Sequence, residues 1–301
     1  LGIARALHCL QQVCPPENGA EQFKVGRIHR QKVRVSRSHI LRCVFRVMEL
    51  YGRSKSVLEV EFFDEAGTGL GPTLEFFTLV SHQLQRSDLN MWCHDSTYSI
   101  PREDHIDETK KQQQKKKLPD NPLQAEGPFQ YVSNKGGLFP SPLKESDSNA
   151  SFIRKMFQLF GVVAGKAILD ERMLDIHLSL PFFKWLVGKP LTISDLAIVY
   201  PEIAKSMREF QKVVQQYRDA LASNEGVSKE DLQKTILYRD CAIEDLCLTF
   251  VLPGRSDWEL KENGKDIPVT LDNLAEYVEL VVETLLVSGV RVQMESFRKG
   301  F

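Results

Sequence analysis

Residue types that do chemistry are present in this chain but poorly grouped. Cys9 and Cys14 stand five apart, Cys241 and Cys247 six apart, Cys43 alone, and Cys93 beside His94. A structural zinc needs two close Cys or His pairs, and these spacings supply none. They fit buried thiols that pack as small hydrophobes. The histidines are scattered without the H-E-x-x-H spacing of a catalytic zinc, and no G-x-S-x-G elbow offers a hydrolase serine. Gly67, Gly69 and Gly71 invite a phosphate-binding reading, but they match neither G-x-G-x-x-G nor a glycine-rich loop ending in Gly-Lys-Ser/Thr. A strand-to-helix turn that needs positive φ accounts for them. No metal and no cofactor is expected.

The elements that would position a site follow from composition and periodicity. The 301 residues are 42% hydrophobic and 26% charged, enough for about two domains. That excludes a collagen, a mostly disordered chain and a small disulfide scaffold. With 39 Lys and Arg against 40 Asp and Glu, a whole-chain polyelectrolyte role is excluded too. Six cysteines without framework spacing predict reduced thiols and a cytoplasmic or nuclear protein. No membrane-spanning or export segment is expected. A first residue of Leu1, and a last residue directly after Phe297-Arg298-Lys299-Gly300, make both ends read as cut from something longer.

Residues 24–55 carry ten Lys or Arg against the single acid Glu49. A nucleic-acid patch there would need stacking aromatics on the same face. Only Phe45 and Tyr51 are near, so a solvated basic face, or one meeting acidic residues elsewhere in the fold, is the better reading. Along the chain, the spacing predicts an amphipathic helix over 1–13 and a strand over 31–36. A helix with the stripe Ile40, Leu41, Val44, Phe45, Val47 and Met48 follows, closed by Gly52. Next come a strand over 57–63 and a helix over 73–84. Residues 100–127 read as a disordered insert, because 102–117 hold Ile106 as their one large apolar side chain. A buried helix follows over 152–169, then a helix over 203–221, a polar insert over 223–234 and a strand over 246–252. Thr270 is the expected N-cap of a last helix, 271–287, stopped by Gly289. The whole is α+β and helix-dominated.

Three stretches are too distinctive for generic core. One is Gly67-Thr68-Gly69-Leu70-Gly71-Pro72-Thr73-Leu74-Glu75-Phe76. Another runs from Gly161-Val162-Val163-Ala164-Gly165-Lys166 through Leu180-Pro181-Phe182-Phe183-Lys184-Trp185. The third is Leu260-Lys261-Glu262-Asn263-Gly264-Lys265-Asp266-Ile267-Pro268-Val269-Thr270. In this order they resemble HECT-type ubiquitin-protein ligases. Gln31-Lys32-Val33-Arg34-Val35-Ser36 and Met48-Glu49-Leu50-Tyr51-Gly52 add a likeness to the ubiquitin-fusion-degradation branch with its plant and thyroid-receptor-interacting relatives.

The resemblance implies an α+β HECT N-terminal lobe, incomplete, over residues 26–301, with 1–25 as a flanking segment. It implies a smaller conjugating-enzyme-binding subdomain near 190–265 with the adjoining helix 271–288. Family members accept ubiquitin from a conjugating enzyme as a cysteine thioester and pass it to a substrate lysine. None of the six cysteines here sits in the family's Thr-Cys context, so no catalytic nucleophile is assigned; the expectation is a piece that docks the ubiquitin-loaded enzyme and does not complete transfer. The contact positions implied are Ile203, Ser206 and Met207 after Tyr200-Pro201, Leu246 near the following strand, and Tyr277 and Val281 on the last helix. On that helix Leu271, Leu274, Val278, Val282 and Leu285 read as the core stripe, leaving Tyr277 and Val281 as a strip for a partner. Substrate would be held by regions outside this chain. The rival readings are a non-catalytic protein-interaction module and nucleic-acid binding through residues 24–55.

Overall fold

A computed structural model of the chain describes residues 29–93, 129–223 and 235–301. The expected N-terminal helix, the insert over 100–127 and the polar insert from 224 to 234 lie outside the described residues. The chain divides into two compact units, Leu1–Ser81 with Val162–Asp175, and His82–Gly161 with Ile176–Phe301.

In the first unit, strand β1 (Arg30–Val35), helix α1 (Ile40–Tyr51) and strand β2 (Val57–Phe62) form a β-α-β crossover. The two strands run parallel, in register from Arg30 opposite Val57 to Val35 opposite Phe62. Period-two alternation sends Val33, Val35, Leu58, Val60 and Phe62 to one face, and Arg30, Lys32, Arg34, Glu59 and Glu61 to the other. The basic row therefore meets an acidic one. Arg34 Nε lies 3.1 Å from Glu61, Lys32 Nζ lies 3.5 Å from both Glu59 and Glu61, and Arg30 lies 3.7 Å from Glu59. Just beyond β1, the Arg37 guanidinium bonds to Glu65 and Glu75 and sits 4.0 Å over the Phe62 ring. Hydrogen bonds from Arg37 hold both carboxyls below the usual carboxylate range.

Helix α2 (Leu70–Leu84) starts three residues before the expected Thr73. Pro72 is tolerated because the first-turn N–H groups have no intrahelical acceptor. Of the three loop glycines only Gly69 needs positive φ, at +88°. Thr73 Oγ1 donates to Gly69 O at 2.8 Å and accepts the Val60 N–H at 2.9 Å, which ties the loop to the edge of β2. Gly52 also departs from expectation. Its φ is −57°, so it does not end α1 by a left-handed turn. A Cβ there would lie 2.4 Å from Val162 Cγ1 and 2.5 Å from Met48 O, so close approach excludes any side chain.

Helix α3 spans Ala150–Leu169, close to its expected bounds. In the second unit Trp92, Phe157, Phe160, Phe182 and Phe297 pack edge-on or tilted at centroid distances of 4.8–6.4 Å. The buried Trp92 indole donates to Leu84 O at 2.7 Å, so its one polar atom is satisfied. Two short helices that the periodicity did not announce follow, α4 (Leu180–Leu186) and α5 (Ile193–Val199). They are joined through buried Asp195, which accepts from Lys184 Nζ at 2.6 Å and from Thr192 N at 2.9 Å. Burial pushes that carboxyl up, but the Lys184 and Thr192 bonds outweigh it and hold it below the usual range. Helix α6 (Pro201–Ser223) packs on α5.

The expected strand over 246–252 shrinks to β3 (Val251–Leu252), paired antiparallel with β4 (Arg255–Glu259) across a turn containing Gly254 at φ +76°. Glu244–Leu246 is a 3-10 turn, stopped by Cys247 at φ 49°. Leu248 O and Phe250 N instead bond to the 264–269 segment, which replaces the ladder of a longer strand. Helix α7 spans Leu274–Leu286, with Asn273 and not Thr270 at its N-cap. The Asn273 side chain turns back, accepting the Thr270 N–H at 2.8 Å and donating to Pro268 O at 3.1 Å. The last helix, α8 (Arg291–Gly300), was not anticipated. Nor are the cysteines uniformly buried: Cys93 is, Cys43 is half-buried, and Cys241 and Cys247 are exposed. No described helix is long and apolar enough to cross a membrane.

Gly161 is where α3 meets α8, and a Cβ there would lie 2.1 Å from Phe297 O. Because backbone must move, Gly161→Ala is expected to lower stability by about 1–3 kcal/mol. Gly71→Ala, on α2 with open space around it, should be neutral or slightly stabilising. Thermal melts of the two variants check this; equal melting temperatures would contradict it.

Candidate functional site

Helix α6 exists because Ile203, Ala204, Met207, Phe210, Val213, Val214 and Tyr217 recur every three or four residues and are buried as one face. Pro201 at its first position, where no N–H is needed, sets its start after Tyr200. Two polar contacts tie this helix and the 3-10 turn to the entry of α7. The Tyr217 hydroxyl donates to Asp272 Oδ1 at 2.6 Å, and Leu271 N donates to Glu244 Oε1 at 3.0 Å. The bond to Asp272 pushes the Tyr217 hydroxyl up to about 12. Helix α7 packs on α5 and α6, and the Tyr277 ring meets the edge of Phe250 at 5.7 Å.

The six positions implied by the resemblance lie on these three elements. Ile203 and Met207 are buried on α6, and Ser206 beside them is half-buried. Leu246 is half-buried in the 3-10 turn. Tyr277 and Val281 do not form a strip apart from the core of α7: they are 3% and 0% exposed. The buried stripe is Leu274, Tyr277, Val278, Val281 and Leu285, while Val282, expected in the core, is half-buried. Burial pushes the Tyr277 hydroxyl up to about 12.

Beside Ser206 lies a cluster that neither motif nor periodicity marks. Arg239 Nε and Nη2 reach Glu209 Oε2 at 3.0 and 2.7 Å. The Tyr238 ring packs on Phe210 at 4.8 Å. Burial and the Glu209 carboxylate push the Tyr238 hydroxyl up. Burial also pushes the Glu209 carboxyl up, but Tyr238 and Arg239 outweigh it and hold that group low. At neutral pH the cluster is a neutral phenol, a carboxylate and a guanidinium. Thirty residues separate Glu209 from Arg239, so no local sequence signal announces the pair.

Nothing in this arrangement resembles a nucleophile with its base; it is a packed floor of apolar side chains with a polar rim, a geometry suited to protein recognition. Residues 78–301 match the HECT-domain (ubiquitin-transferase) family. The E3 ubiquitin-protein ligase UPL3 of Arabidopsis thaliana is 37% identical over 318 residues, covering 100% of this chain and 16% of the relative. The E3 ubiquitin-protein ligase TRIP12 of Danio rerio is 36% identical over 282 residues, 91% of this chain and 13% of the relative. The E3 ubiquitin-protein ligase Ufd4 of Drosophila melanogaster is 29% identical over 377 residues, again 100% of this chain and 13% of the relative. The chain thus spans less than a fifth of the length of these relatives. With the match running through α3, α6, α7 and α8, the chain belongs to the HECT-domain ubiquitin-transferase family, in the branch of the UPL, TRIP12 and Ufd4 ligases.

Proposed function

We propose that this chain docks a ubiquitin-loaded conjugating enzyme on the surface shared by α6, the 244–246 turn and α7. The protein it belongs to would then accept ubiquitin as a cysteine thioester and deliver it to a substrate lysine held by other regions. The chemistry is thiol exchange followed by aminolysis: a thiolate attacks the donor thioester and releases the donor thiol, then an amine attacks the new thioester. This chain's part is positioning. The carrying observation is that six positions scattered over 79 residues of sequence, Ile203 to Val281, fall on three elements tied together within one unit. Buried Ile203, Met207, Tyr277 and Val281 would form a rigid floor, which reduces the ordering entropy lost on binding. Ser206 and Leu246 would touch the partner. Cysteine usage fits a protein of the cytoplasm or nucleus. The basic stretch favours nucleic acid less, since Arg30, Lys32 and Arg34 already face carboxylates.

Titration calorimetry of the chain against a panel of conjugating enzymes tests the reading. Selective binding is expected, weakened by about 1–3 kcal/mol in Leu246→Asp and Ser206→Arg with melting temperatures near wild type. No binding to any member by the folded chain, or full binding by Leu246→Asp, would overturn it.

A further inference from the structure

Tyr238 to Cys241 make a two-residue hairpin turn, closed by Tyr238 N to Cys241 O at 2.8 Å and Cys241 N to Tyr238 O at 3.0 Å. Its central residues, Arg239 and Asp240, both lie in the left-handed region, at φ 48° and 66°. Such a turn is normally built with glycine, asparagine or aspartate, because the β-carbon of other residues crowds the neighbouring carbonyl. Asp240 suits its position but Arg239 does not, so the turn is strained at Arg239 and something must hold it. What holds it is α6: the Arg239–Glu209 contacts and the Tyr238 ring on Phe210. The Arg239 guanidinium also lies 5.2 Å from the Tyr238 ring centroid. Despite these contacts the Arg239 side chain is 61% exposed.

We infer that the 238–241 turn is a second wall of the docking surface, and that Arg239 is a specificity-determining residue which takes a carbonyl or carboxylate oxygen from a loop of the conjugating enzyme. This rests on the docking reading above. The turn is continuous with that surface, since the Tyr238 ring packs on Phe210 of α6 and Arg239 bonds to Glu209, which stands one helical turn from Ser206. A guanidinium has five N–H donors, and the Nε and Nη2 contacts to Glu209 leave others for a partner. Glu209 fixes the plane of the fork before the partner arrives, so little side-chain entropy remains to be lost. It also neutralises the charge. Selection by Arg239 is therefore by the position of an acceptor, and acidic surfaces in general are not drawn in. A pair that only stapled the turn to the helix would have no need of a fork held open to solvent in a strained turn.

Calorimetry of the chain with the conjugating-enzyme panel, with melts alongside, separates these roles. Arg239→Ala should weaken the tightest wild-type complex about tenfold or more and narrow the differences among panel members. Arg239→Lys keeps a cation for Glu209 but loses the planar fork, and should lose nearly as much while melting close to wild type. Wild-type affinities in Arg239→Ala, while Leu246→Asp loses binding, would overturn this inference and leave the docking reading standing. If Arg239→Ala melts well below wild type, Arg239→Lys decides: full affinity overturns the specificity role and tenfold loss supports it. Wild-type chain that binds no member, or Leu246→Asp that binds fully, would remove the docking reading and this inference with it.

Discussion

Asp170→Ala is expected to destabilise the first unit by about 3–5 kcal/mol, the usual consequence of leaving one member of a buried ion pair without its partner. Lys166 and Asp170 are only 1% and 2% exposed in their side chains, and their charged atoms are 2.9 Å apart. Every donor of the ammonium is used: it also reaches Ser54 O at 3.1 Å and Ser56 O at 2.6 Å. The second carboxylate oxygen of Asp170 accepts the Leu58 N–H at 3.0 Å. The pair thus closes the backbone groups that enter β2, which has no further strand to satisfy them among the described residues. That changes the usual expectation for apolar replacement. A buried pair can often be exchanged for hydrophobic residues with little loss. Here Lys166→Met with Asp170→Leu would strand two carbonyls and one N–H, each worth about 1–3 kcal/mol. The double variant should therefore stay several kcal/mol below wild type in urea unfolding. Recovery to wild-type stability would show that these backbone groups find other partners and that the pair is not what closes the turn.

Much of the fold was legible where periodicity is long and local. β1, α1, β2, α3 and α6 fall within a few residues of expectation, because each buries one face and its spacing says which. What was not legible depends on residues distant in sequence. Gly52 and Gly289 read as helix stops, Gly161 as a helix residue and Gly264 as part of a motif, yet each is held to glycine by a neighbour no local pattern reveals: Val162, Thr284 O, Phe297 O and Phe250 O. The 246–252 run has the apolar content of a strand, but its backbone is satisfied by the 264–269 segment, so most of it is not one. On α7, Tyr277 and Val281 lie one row round the helix from Val278 and Val282. Sequence cannot decide which row is central until it is known that α5, α6 and Phe250 cover the first. The six family positions came from resemblance; Arg239, thirty residues from Glu209, had no such signal.

Tyr277→Ala is accordingly expected to act first on the fold, removing about 3–5 kcal/mol as other buried aromatic truncations do. The ring is 3% exposed and meets Phe250 at right angles, 5.7 Å between centroids, so truncation leaves a cavity between α7 and the loop before β3. Any loss of docking in that variant would follow from the lost floor and would not by itself make Tyr277 a contact. Tyr277→Phe separates the two effects. It keeps the ring, should change neutral-pH stability by less than about 1.5 kcal/mol, and alters the alkaline limb in a direction that can be worked out. Burial raises the Tyr277 hydroxyl from 10.0 to about 12. Between those values the unfolded chain has lost a proton that the folded chain keeps, so stability is full below pH 10 and falls as pH rises, by up to about 1.4 kcal/mol per pH unit for this group. Tyr217, also raised to about 12, through Asp272, adds a limb of the same sign. Tyr277→Phe should therefore flatten the decline between pH 10 and 12 without abolishing it, and the Tyr217→Phe double variant should flatten it further. An alkaline profile unchanged in Tyr277→Phe, together with a Tyr277→Ala melt within 2 °C or so of wild type, would mean that the ring is not core and that α7 presents this row to a partner after all.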